Sequence, residues 1–131
     1  MTNPVAVTKL ESKSHSQADE VRTPDKTRVE VVKLDGFTMG RFTFQPGWRW
    51  SECVKPVAKT EHCELSHVGY AVSGRMTIRL NSGQEKTIVA GESYTIPPGH
   101  EAWVEGNEPF VGTEVMSADM YAKANPATVS H

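Results

Sequence analysis

"GYAVSGRMTIRLNSGQEKTIVAGESYTIPPGH", residues 69–100, sets a period of two against closely placed turns. Met76, Ile78 and Leu80 alternate with Arg75, Thr77 and Arg79, the pattern of a strand with one apolar face. Leu80-Asn81-Ser82-Gly83-Gln84 reads as a hairpin turn, so residues 75–80 should pair with 85–89. Ser73-Gly74, Ala90-Gly91 and Pro97-Pro98-Gly99 punctuate the remainder. Upstream, "RVEVVKL" and "FTMGRFTF" continue the alternation; downstream, "EAWVE" and "FVGTEVM" do the same. Strands about ten residues apart, without a convincing amphipathic helix between them, predict an antiparallel sandwich or barrel. Only "SADMYAKA", residues 117–124, has helical composition, and it is short.

The chain has 131 residues, enough for one domain with its own core. A formal net charge of -2, with 14 basic residues scattered along the chain, argues against nucleic acid or an anionic membrane as partner. No apolar run approaches the roughly 20 residues of a membrane-spanning helix, and no signal-peptide core opens the sequence, so a cytoplasmic protein is expected. In a reducing cytosol Cys53 and Cys63 should be free thiols. Residues 1–27 hold Val5, Val7, Leu10 and Val21 but no aromatic residue, too little apolar surface to offset ordering entropy. They are expected as a flexible arm, with the barrel spanning residues 28–131.

In 69–100 and the residues just before it, the chain resembles the cupin superfamily, in particular its small single-domain members. Their two motifs run G-x5-H-x-H-x3,4-E-x6-G and G-x5-P-x-G-x2-H-x3-N. Gly91, Pro97 and Gly99 match the first half of the second motif, and Gly74 closes the first, with six residues between it and His67. "PGWRWSECVKP" and "IPPGHEAWV" are similar to the same group, and the resemblance spans roughly residues 36–116. It implies a double-stranded β-helix (jelly-roll) barrel and a homodimer, formed by sheet packing or by exchange of the N-terminal segment.

The resemblance also implies a divalent ion held by histidines and a glutamate, and here the chain departs from the pattern. His67 stands at the glutamate position. The histidine pair falls on Thr60 and His62 or on Glu61 and Cys63, depending on the gap counted. The second-motif histidine position is Ala102, with His100 two residues earlier on the same strand face. His62, Cys63, His67 and His100 are the expected metal set, with Glu61 an alternative member. Imidazole and thiolate suit zinc, and imidazole also suits iron, nickel or copper; zinc, nickel, iron or manganese is the expected ion.

Strand alternation puts His67, Gly69 and Ala71 on one face, which suits a cavity wall, so truncating His67 should cost little stability. Trp48 and Trp50, read as a strand edge, and Tyr70 and Trp103 are expected to line a pocket for an apolar or ring-bearing small molecule, with Arg49 facing a carboxylate. No Gly-x-Ser-x-Gly and no phosphate-binding loop is present. The function read from these features is a barrel that binds a divalent metal, a small molecule or both. The alternative is a metal-dependent dioxygenase-like or isomerase-like enzyme, with Glu61, Glu64 or Glu101 as candidate acid or base.

Overall fold

A computed structural model describes residues 7–59 and 65–115. The strands are β1 (Glu20–Arg22), β2 (Thr27–Leu34), β3 (Phe37–Phe44), β4 (His67–Ser73), β5 (Arg75–Leu80), β6 (Glu85–Val89), β7 (Ser93–Ile96), β8 (His100–Val104) and β9 (Phe110–Val115). Single helical turns α1 (Trp50–Cys53) and α2 (Lys55–Ala58) follow β3. The described strands form a sheet of order β1-β2-β3-β9-β4-β7 and a smaller one of order β6-β5-β8, every pairing antiparallel. The expected hairpin is present: β5 pairs with β6 from Arg75↔Val89 to Arg79↔Glu85. No helix among the described residues is long and apolar enough to cross a membrane.

Alternation decides what each strand buries. On β3, Thr38, Gly40, Phe42 and Phe44 are buried while Phe37, Met39, Arg41 and Thr43 are only partly covered. The inward faces meet in one cluster that includes Val29, Val31, Phe42, Phe44, Ile78, Ile88, Ile96 and Phe110. Phe44 stacks on Trp48 with ring centroids 3.9 Å apart, and the Trp48 indole N–H donates to Thr27 Oγ1 at 2.9 Å. Burying a tryptophan is favourable only where its N–H finds such an acceptor.

Two expectations need correction here. The aromatic segment is not a strand edge: Trp48 sits in the turn after β3, Arg49 makes an isolated bridge to Trp103, and Trp50 begins α1. The arm is not free over its described part. β1 pairs with β2, and Thr8, Glu11, Lys13 and Asp19 all bond to the β2–β3 hairpin. The hydrogen bond from the Lys33 N–H to Asp19 Oδ2 is 2.7 Å. The low apolar content was read correctly, since Leu10 is fully exposed, but the edge of β2 offers backbone groups that polar side chains satisfy. Burial was the wrong criterion for that segment. "SADMYAKA" and the barrel's expected continuation to residue 131 lie outside the described residues.

Gly74 makes the tight step between β4 and β5 at φ +81°, where a Cβ would collide with the Pro109 carbonyl and lie 2.7 Å from Phe110 Cα. Gly83, at φ +96° in the β5–β6 hairpin, faces open space. Gly83→Ala should therefore cost about 1 kcal/mol from backbone conformation alone, and Gly74→Ala roughly 3 kcal/mol or more. Urea unfolding of both variants checks this; equal losses would show that the contact with Pro109 contributes nothing.

Candidate functional site

Across the large sheet, β9, β4 and β7 place Glu114, Gly69 and Tyr94 in one row. Because Gly69 has no side chain, its two neighbours meet above it: a Cβ there would lie 2.7 Å from Glu114 Cγ and 2.8 Å from Tyr94 Cζ. Gly112 gives way in the same manner, with the Tyr94 hydroxyl 2.9 Å from where its Cβ would be. The Tyr94 O–H donates to Glu114 Oε2 at 2.6 Å, and His67 Nδ1 lies 2.6 Å from Glu114 Oε1. All three side chains are buried. Burial, reinforced by the Glu114 charge, pushes the Tyr94 phenol well above its usual value, so it stays a donor.

His100 comes from the other sheet. Its Nδ1 is 2.7 Å from the Pro97 carbonyl, which can only accept, so that nitrogen carries the proton and the lone pair of the neutral ring sits on Nε2. The carboxylate of Glu114 fixes the same tautomer on a neutral His67. The two rings stand edge to face with centroids 5.1 Å apart. They border an interior space of about 20 Å³, walled otherwise by Glu114 and by apolar side chains that include Phe42, Phe44, Trp48, Trp50, Met76 and Ile78. That is room for about one water molecule or ion, and none for an organic ligand.

The pair fits a divalent ion. Two imidazoles bound at about 2.1 Å, with ligand angles of 90–110°, place their centroids roughly 4.5–5.3 Å apart. Anchoring each ring through its other nitrogen is the usual second layer of a metal site. Among the described residues, no group of three or more His, Cys, Asp or Glu side chains is arranged to hold a metal. His62 and Cys63, with the alternatives Glu61 and Glu64, lie outside the described residues.

The structure brings together His67, His100, Trp48 and Trp50 from the expected residues. Tyr70 and Trp103 are elsewhere, for a reason of parity. Tyr70 alternates with inward Gly69 and Ala71, so it is 46% exposed on the outer face of the large sheet. Trp103 alternates with inward Ala102 and Val104 and lies outside the small sheet, where Arg49 and Arg79 flank its ring at 4.5 and 5.3 Å. Arg49 is also paired with Glu101 at 3.6 Å, and Glu101 accepts from the Ser51 N–H, so neither faces the interior.

The sequence reading missed Glu114 and Tyr94. The signal was available in "FVGTEVM", whose inward face of Phe110, Gly112 and Glu114 puts a carboxylate where core is expected. Gly69 does not leave a void either, because Glu114 and Tyr94 occupy the space beside it. His67→Ala should consequently cost about 2–4 kcal/mol, by depriving a buried carboxylate of a hydrogen bond, and Tyr94→Phe about 1–2 kcal/mol. Denaturant unfolding with chelator present measures both; a His67→Ala loss below that of Tyr94→Phe would contradict the buried-carboxylate account.

No family model and no curated protein matches the chain. Solved structures do share its architecture. The polyketide cyclase RemF from Streptomyces resistomycificus is 18% identical over 82% of this chain and 78% of its own, with TM-score 0.58. A conserved protein with a double-stranded β-helix domain from Klebsiella pneumoniae is 20% identical over 87% and 89%, with TM-score 0.56. An RmlC-like cupin from Shewanella frigidimarina is 17% identical over 82% and 91%, with TM-score 0.55. At such identities the likeness is one of fold.

Proposed function

We propose that this chain, a cupin by fold, binds a divalent transition metal between His67 and His100 and, outside that ion-sized interior, a small molecule. The observation that carries this reading is the anchoring of both rings through Nδ1, to Glu114 and to Pro97, around an ion-sized space. A third ligand is expected from Glu61, His62 or Cys63, a few residues ahead of His67 in the chain. Zinc, nickel, iron and manganese all suit such a set, and the ion would supply Lewis-acid polarisation of a bound oxygen. We place the protein in the cytosol as a homodimer. The outer face of β4, where Val68, Tyr70 and Val72 stand exposed, is the surface offered for that contact. A monomeric mass at micromolar concentration would remove that part.

One observation favours an enzyme as second reading: the buried carboxylate at His67. A His–Glu pair can take and return a proton, which suits an enolisable small molecule. RemF, which shares the fold, is described as a polyketide cyclase. Solvent deuterium entering such molecules with the parent but not with Glu114→Gln would favour turnover; no exchange leaves the binding module.

Protein purified without chelators should carry stoichiometric metal or take up one of the four ions. Joint His67→Ala and His100→Ala substitution should abolish binding, whereas Cys63→Ser should weaken it or leave it unchanged. Affinity should fall on acidification as protons compete for imidazole nitrogen. Elemental analysis checks the stoichiometry, and a parent protein that takes up none of the ions would reduce the pair to a hydrogen-bonded wall.

A further inference from the structure

Edge strands β6 and β7 leave one side of the sandwich open, and between them runs a cleft of about 570 Å³. Its size lies within the roughly 300–1,000 Å³ typical of small-molecule sites. Ile88 is buried on its floor, and Ile78 and Ile96 wall both the cleft and the interior space beside His67 and His100. The cleft and the candidate ion site thus share a partition formed by these two side chains.

Strand parity gives the cleft its polarity. Ile88 points inward from β6, so Lys86, two residues earlier, stands on the same face, directly opposite Ile78. A lysine on the apolar face of a sheet keeps its charge only where water or an anion reaches it. Here the open edge provides that access, and Lys86 makes no ion pair among the described residues. Glu85 and Glu92 border the cleft as well, Glu92 turned to the Val89 N–H, from which its Oε1 accepts at 2.9 Å, and Glu85 by alternation on the opposite face of β6, which leaves Lys86 the one cation in the lining among the described residues.

We infer that this cleft binds a small organic carboxylate, its apolar body against Ile78, Ile88 and Ile96 and its carboxylate on the Lys86 ammonium. The inference rests on the reading of the barrel as a small-molecule binder, and it names the class of molecule, but it does not require the ion. It also moves the organic ligand from the aromatic residues expected to hold it to an aliphatic cleft.

The test uses the full chain, 2-naphthoate and the neutral 2-naphthylmethanol as probes, and the isoleucine methyl resonances as readout. Naphthoate should shift the signals of Ile78, Ile88 and Ile96 saturably, and naphthylmethanol should bind more weakly. Lys86→Gln, an exposed substitution, should weaken naphthoate about tenfold or more and erase the preference. Equal binding of both probes, or unchanged naphthoate affinity in Lys86→Gln, would overturn the carboxylate assignment. No binding of naphthoate at millimolar concentration by a protein that holds its metal would sink the cleft and leave the ion reading standing. Naphthoate bound in the cleft of a protein that takes up no metal would do the reverse.

Discussion

A carboxylate inside a sheet sandwich survives only where donors reach it, and Glu114 imposes that requirement on three strands. Left alone in low dielectric its charge would cost several kcal/mol. Tyr94 from β7 and His67 from β4 supply hydrogen bonds at 2.6 Å each, one to either oxygen. Gly69 and Gly112 exist as glycines in the space these bonds need, since a methyl at either would lie within 3 Å of Tyr94. The strand order β9-β4-β7 is what lines up the row. Much of the site's geometry is thus a consequence of keeping one buried charge satisfied.

A second constraint is volume. Phe44 and Trp48 stack within the barrel, Trp50 adds another indole, and Trp48 is fixed by its bond to Thr27. Aromatic filling on this scale reduces the interior to a space for one ion or water. The division of labour follows from that packing. An ion or a water molecule fits inside, and a molecule with a carbon skeleton does not.

The fold was legible because its signals are local. Hairpin glycines and two-residue alternation specify the β5–β6 pairing and the inward face of β4. That His67 and His100 both face inward was legible for the same reason. Tyr70 and Trp103 were misplaced although the same alternation excluded them, since residues adjacent to inward Gly69 and Ala102 must point out. Aromatic character was allowed to outweigh parity. The inward place of Glu114 follows from alternation too, but its partner does not: it meets His67 across 47 residues of sequence, a separation no local pattern encodes. The docked arm escaped notice because apolar content measures burial, whereas an edge strand is held by backbone hydrogen bonds to polar partners.

The position of the carboxylate has a chemical consequence. At the place where the cupin pattern puts a glutamate ligand, this chain has His67, and its carboxylate stands one strand away, behind the imidazole. A glutamate in direct contact would neutralise part of an ion's charge and occupy one of its open positions. Glu114 instead orients His67 through its Nδ1, 2.6 Å from Oε1. An ion held by His67 and His100 would keep more of its positive charge than one facing a carboxylate, and its field would reach past Ile78 and Ile96 toward the cleft. Lys86 adds a second cation on that side. Both charges favour an anionic guest, so the substitution at position 67 and the lysine on β6 act in the same direction.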